Sequence, residues 1–253
     1  MTRFISAIVA TGLVLGTGRL ALADEQGAKA VIDKAVKAMG GAEKLGAAKA
    51  VVWKSKGKIH INDNDNDFTT KVTAQGSDHF RREFEAEFDG SPIKGVTVLD
   101  GDKAWRKIGD ELTKVEDDAL ANEKRIVYLE VVPQMPSLLK GAGFKAEVAE
   151  EEKVGGKPAA VLKVTGPDGK DFQLFFDKSS GLPVKMTATA IDFQGEEFAQ
   201  ESTFGNYKDF DGIKRATKLE TKRNGKKFVD AEVTDFRVLD KVDPKTFAEP
   251  KGD

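Results

Sequence analysis

Asp63, Asp65 and Asp67 alternate with Asn62, Asn64 and Asn66, at the spacing of the first three ligands of a calcium loop. The match stops there. Phe68 stands where such a loop has glycine, and Ala74 where it has its bidentate acid. The run reads as a hairpin turn, with a weak calcium site as the alternative. His60 and His79 are the only imidazoles, and period-two parity sets both on a polar strand face. A third ligand of matching parity is missing, so two solvated histidines are expected rather than a metal pair. The chain has no cysteine, which removes disulfides, thiolate catalysis, Cys-ligated zinc and iron–sulfur clusters. It has no serine elbow, phosphate-cradling glycine loop or zinc-helix motif. Acid pairs are plentiful where 32% of residues are charged, so they do not mark a catalytic site. The expectation is a non-enzymatic protein without a cofactor or metal.

The unusual usage is aromatic. Sixteen phenylalanines and two tryptophans accompany two tyrosines. Phe80, Phe84 and Phe88 share one strand face; Phe172, Leu174 and Phe176 share another. Such stripes make either a packed core or the lining of a cavity that a curved sheet cannot fill with its own side chains. The candidate lining is Trp53, Phe68, Phe80, Phe84, Phe88, Trp105, Phe172 and Leu174.

The elements that position these residues follow from period and punctuation. Ala28, Val31, Ile32, Ala35, Val36 and Met39 form one apolar stripe of an amphipathic helix, stopped by Gly40-Gly41. Ala42–Ala48 adds a short helical turn. The period then becomes two: Val51, Trp53, Ser55, Gly57, Ile59 and Ile61 face inward against Lys54, Lys56, Lys58 and His60. Phe68–Ala74 and Phe80–Phe88 repeat this pattern. Further strands are expected at 94–99, 103–108, 144–152, 158–165, 171–177, 183–193, 197–208, 213–222 and 227–238. Asp100-Gly101, Gly155-Gly156, Asp211-Gly212 and Asn224-Gly225 supply turns between them. Glu116–Val132 is a helical insertion, followed by a short turn at Ser137–Gly141. This spacing predicts a large antiparallel sheet or barrel.

The first 23 residues carry Arg3, an apolar stretch from Phe4 to Leu15, and Ala21-Leu22-Ala23. They read as a signal peptide cleaved after Ala23, with an uncleaved anchor as the alternative. Residues 24–253 are expected to form a single domain, exported to the periplasm. The formal charge of −2 lacks the basic excess of a nucleic-acid binder.

Three stretches resemble the LolA/LolB-like family of periplasmic lipoprotein carriers, which sort outer-membrane lipoproteins. Val96–Trp105 is similar to that family's apolar strand, Asp-Gly turn and returning strand with tryptophan. Phe176–Pro183 is like its Asp-x-x-x-Gly hairpin. Val242–Pro250 is like its closing Val-Asp-x-x-x-Phe segment. The resemblance implies a mostly β protein with helices, whose large antiparallel curved sheet is an incomplete β-barrel wrapped around the N-terminal helix and the helical insertion. It implies an apolar cavity for acyl chains. Characterised carriers place an Arg-Pro pair just ahead of the strand matching Phe80–Phe88, and that arginine fastens a lid; here those residues are Gly76-Ser77-Asp78. Arg82, inward by parity, either takes this role or pairs with an acid on a neighbouring strand, the reading adopted here.

The reading of the whole sequence is an exported soluble carrier that binds acyl chains of a lipid or lipoprotein, for transfer to the outer membrane. Its implied partners are lipids or lipoproteins and inner- and outer-membrane transfer proteins, with the carrier a monomer. The alternative is an envelope sensor or scaffold of the same fold with a filled core and a protein partner.

Overall fold

Two strands far apart in sequence zip the molecule together. β1 (Ala50–Ile61) pairs antiparallel with β13 (Lys226–Leu239), from Ala50↔Leu239 to Ile59↔Val229, with a bulge at Lys54/Ser55. The computed structural model describes residues 17–61, 64–88, 90–141, 143–192 and 195–251. From β1 the chain runs outward through β2 (Asn64–Gln75), β3 (His79–Phe88), β4 (Ser91–Asp100), β5 (Lys103–Ile108) and β6 (Glu111–Val115). From β13 the sheet continues the other way through β12 (Ile213–Arg223), β11 (Glu197–Phe210), β10 (Pro183–Ile191), β9 (Asp171–Asp177), β8 (Lys157–Thr165) and β7 (Lys145–Val154). The result is one 13-stranded antiparallel sheet with β6 and β7 as its edges. It is left open rather than closed into a barrel, as expected.

β6 is the one strand the periodicity does not predict. It has five residues, of which Val115 alone is buried. The Asn/Asp run is mostly strand rather than turn: Asn64–Asp67 begin β2, while Asn62 and Asp63 lie outside the described residues. Primed-turn chemistry holds elsewhere. At the β12–β13 hairpin Asn224 and Gly225 have φ of 48° and 75°, which the right-handed strand twist favours.

Helices occupy the concave face. α1 spans Thr17–Ala38, with Ala28, Ile32, Ala35 and Val36 buried, and Met39 buried just past its end. The expected cleavage point after Ala23 falls within this helix; residues 1–16 of the expected signal peptide lie outside the described residues. Gly40 ends the stripe at φ 134°, and a Cβ there would come within 2.6 Å of the Gly212 carbonyl oxygen. Two requirements thus meet at one glycine: backbone freedom and close approach to the β11–β12 turn. α2 (Ala42–Ala47) follows, burying Leu45. α3 (Asp117–Val131) and two short 3-10 turns, Val132–Gln134 and Pro136–Lys140, carry the chain from edge β6 to edge β7. No helix among the described residues is long and apolar enough to cross a membrane.

The main core lies between α1, α3 and the concave sheet face, and includes Val51, Trp53, Val72, Phe80, Leu99, Leu174 and Phe236. A second cluster of Val98, Trp105 and Phe247 sits on the other face of β4–β5. The C-terminal segment covers that face: Asp243 accepts a hydrogen bond from the Lys245 backbone N–H at 2.9 Å and starts the 3-10 turn Pro244–Phe247. Burial on both faces explains why two adjacent residues are apolar on each strand: Val98-Leu99 on β4 and Ala104-Trp105 on β5.

Candidate functional site

α3 is a crossbar between the two halves of the open sheet. Towards the N-terminal half, Arg82 on β3 donates to Glu130, and Arg106 on β5 donates to Glu123 at 2.6 Å. Towards the C-terminal half, Arg125 donates to the Asp168 carboxylate at 3.1 Å and to the backbone carbonyls of Thr189 and Asp171 at 2.8 and 3.0 Å. Tyr128 donates to Asp168 at 2.9 Å, and Asn122 to the Ile191 carbonyl at 2.7 Å. Burial, with the Asp168 carboxylate adding to it, pushes the Tyr128 phenol above its ordinary value, so it stays a donor. Arg82 therefore pairs with the helix over the concave face, not with an acid on a neighbouring strand. Period-two parity places a side chain on a face but is silent about which helix covers that face.

Under α3 the concave face is not filled. A cavity of about 290 Å³ lies between the helix and strands β1–β3 and β11–β13. Ile126 and Leu129 cover it from α3. Trp53, Ile59, Phe68 and Phe84 form one flank, with Phe228 and Val229 beside them. Phe68 and Phe84 stack with ring centroids 6.0 Å apart. The other flank is mixed: β11 and β12 bring Gln200, Ser202, Thr221 and Arg223 to it together with Phe204 and Leu219, and the Arg82–Glu130 pair also borders the space. Gln200 donates to Ser202 at 3.2 Å, and the Ser202 and Thr221 hydroxyls bond each other at 3.0 Å. A groove of about 840 Å³ on the convex face is larger, but exposed Lys56, Lys58, Lys218 and Lys227 rim it and it has no cover.

The eight candidate lining residues separate by position. Trp53, Phe68 and Phe84 line the cavity together. Phe80, Phe172 and Leu174 are packed in the main core, Phe172 against Tyr128 and Phe144. Phe88 packs at the margin of a small cluster around Ile59, Phe68 and Ala86. Trp105 stands on the convex face beneath the C-terminal segment and does not reach the cavity. The polar members of the β11–β12 flank were not foreseen from the sequence. Gln200, Ser202, Thr221 and Arg223 alternate correctly for inward residues, but polar members on an inward face read as solvent-facing.

The histidines do not meet. His60 Nδ1 is 2.6 Å from Asp65 and its Nε2 is 3.4 Å from Asp230, whereas His79 lies between Asp78 and Asp100 at 3.1 and 3.2 Å. Each is bracketed by two carboxylates; His60 is largely covered, whereas the His79 side chain stays 35% exposed. The His60 hydrogen bond holds the Asp65 carboxyl below its ordinary value. Asp67 faces Lys58 at 3.4 Å. Among the described residues no group of three His, Cys, Asp or Glu is arranged to hold a metal ion.

Two arginines on β12 point inward, and among the described residues neither forms an ion pair with a carboxylate. Arg215, 2% exposed, lies over the rings of Trp53 and Phe236 at 4.3 and 4.9 Å, and its Nε has no hydrogen-bond partner. Burial pulls its guanidinium down from 12.5 to about 9. Arg223, half-buried, lies over Phe198 and Phe228 at 4.2 and 3.6 Å, again with an unpartnered Nε.

No protein-family profile matches the chain, and no curated protein matches it in sequence. Solved structures do match in shape. A LolA superfamily protein from Nitrosomonas europaea superposes with a TM-score of 0.58 at 12% identity, over 87% of this chain and 97% of that one. A DUF1329 family protein from Desulfovibrio piger gives 0.54 at 14% identity, with the same coverage of 87% and 97%. A putative outer membrane lipoprotein-sorting protein domain from Vibrio parahaemolyticus gives 0.52 at 11% identity, over 85% and 97%. The chain has the LolA-like fold.

Proposed function

We propose that this chain is an exported, non-enzymatic carrier that holds an acyl chain of a lipid or lipoprotein beneath α3. The observation that carries this reading is the unfilled cavity of about 290 Å³ on an otherwise packed concave face. Side chains pack cores to crystal-like density, so a gap of this size under a fastened helix is a feature to explain. The volume is near the lower end of ligand pockets, so it takes a short chain or the end of a longer one without displacing α3. Each methylene buried there contributes about 0.8 kcal/mol before ordering costs, which gives affinity without chemistry. Release needs the cover to move, and one of the two links that hold α3 to the N-terminal half, Arg82–Glu130, is exposed enough for water to replace it.

The LolA-like fold supports the reading, and the Vibrio neighbour's description as a lipoprotein-sorting domain suggests acylated cargo passed on to the outer membrane. Export is part of the proposal. The described buried stripe of α1 begins at Ala28, so cleavage after Ala23 would remove none of it. Protein recovered from the cell envelope is expected to start at Asp24; an intact Met1 there would favour an anchored form.

A scaffold with a protein partner is the second reading, favoured by the solid packing of Trp53, Phe80 and Phe236 at one end of the concave face. An apolar dye, N-phenylnaphthylamine, separates the two. Saturable dye binding, reversed by fatty acids, is expected of the carrier. A folded protein that takes up neither dye nor fatty acid is the scaffold.

A further inference from the structure

Polar side chains gather on the β11–β12 flank of the cavity, beside Phe204 and Leu219, and two cations border the space: Arg82, paired with Glu130, and Arg223, which has no ion pair among the described residues. A cavity meant only for hydrocarbon has no use for the Gln200–Ser202–Thr221 chain of hydrogen bonds or for Arg223 at its end. The Arg223 guanidinium is clamped between Phe198 and Phe228, which fixes its plane, and its enclosed Nε has no partner. Burial lowers its pKa, and the carboxylate acting on its charge is Asp192, at the end of β10. A stacked guanidinium with a free donor edge suits an anionic oxygen pair, which it meets through charge-assisted hydrogen bonds. Phe68, Phe84 and Leu129 line the same cavity and suit a chain.

We propose that the cavity is specific for acidic amphiphiles: single-chain lipids whose carboxylate or phosphate head is held by Arg223, while the tail lies against Phe68 and Phe84. This rests on the acyl-binding reading above and narrows it, because a neutral chain would leave the enclosed Arg223 Nε without an acceptor. Hydroxyls of Ser202 and Thr221 lie within the same flank and complete the polar end of the site.

The experiment is a displacement titration with N-phenylnaphthylamine at neutral pH, below the aggregation concentration of each competitor. Dodecanoate, dodecyl phosphate and dodecanol share one chain and differ in the head. The wild-type protein is expected to bind the two acids at least tenfold more tightly than dodecanol, and Arg223→Met to close that gap by weakening the acids alone. Arg223→Lys, which keeps charge but loses the planar fork, is expected to fall between. Equal affinity of the wild-type protein for acids and alcohol overturns the proposal while leaving the carrier intact. So does a preference that survives in Arg223→Met. Displacement by inorganic phosphate at the concentrations effective for dodecyl phosphate also overturns it, since the site would then read an anion and not a lipid. Failure of all three chains to compete removes the carrier reading itself, and this proposal with it. The wild-type comparison decides the matter even if Arg223→Met does not fold.

Discussion

Three inward arginines, two buried and one half-buried, show how differently one side chain can be accommodated. Arg125 is satisfied by a carboxylate, a phenol and two carbonyls; Arg223 has a free edge on a cavity; Arg215 has aromatic faces and no carboxylate. Cation–π contact with Trp53 and Phe236 offsets part of the Arg215 desolvation cost, by about 2 kcal/mol at most per ring. The remainder is a standing cost, so Arg215→Met is expected to stabilise the fold by about 1–3 kcal/mol. A chemical denaturation curve checks this, and a lowered midpoint would show that the stacking outweighs the desolvation. Phe80 and Phe84 make the complementary pair. Phe80 is 0% exposed in the packed core, so Phe80→Asp is expected to abolish folding, because a carboxylate there has neither water nor a partner. Sequence parity puts both residues on one face. It does not show that Phe84 borders the cavity while Phe80 is enclosed in the main core, since packing depth depends on where the helices lie.

At the scale of elements, α3 determines whether the concave face is open. Its two links to the N-terminal half differ in kind. Glu123 is 3% exposed, so Arg106→Leu strands a buried carboxylate and is expected to cost about 3–5 kcal/mol. Glu130 is 29% exposed and can turn to water, so Arg82→Leu is expected to cost only about 1 kcal/mol. Hydrogen exchange should nonetheless show α3 amides opening faster in Arg82→Leu, with the β1 and β13 amides unchanged. Uniform loss of protection would mean that α3 does not open apart from the sheet. The existence of α3 and its length were readable from Glu116–Val132, as were twelve strands from their period and turns. Its crossing from edge to edge was not, because it depends on β6, whose five residues hold too little apolar pattern to register. Trp105 faced the unexpected way for a related reason. Alternation fixes which residues share a face, and where the C-terminal segment covers the convex side both faces are apolar.

At the scale of the whole molecule, the open sheet leaves two edges in place of a closed barrel's none. Edge β7 carries Glu147, Glu150, Glu151, Glu152, Lys145 and Lys153 and a bulge at Ala149/Glu152, which discourages pairing with another sheet. Charge also sets the acid limit of the fold. Hydrogen bonds and ion pairs hold Asp33, Asp65, Asp102, Asp171 and Asp177 below the ordinary 3.8. Groups depressed in the folded state bind more protons when unfolded, so their stabilisation is complete above the ordinary value and lost as pH falls below it. The melting temperature is therefore expected to fall steeply below about pH 4, and these carboxylates should add no pH dependence between about pH 5 and 8. The central claim is that the space beneath α3 holds an acyl chain. It is tested most directly by one variant, Phe84→Asp, whose half-buried side chain borders that space and can keep its charge hydrated. Binding of a fluorescent fatty acid and the unfolding midpoint are measured on the same preparation. The account predicts a folded protein, with a midpoint far closer to wild type than that of a core disruption, that no longer binds the fatty acid. A folded Phe84→Asp that binds it as tightly as wild type, or a variant that cannot fold at all, would contradict the claim.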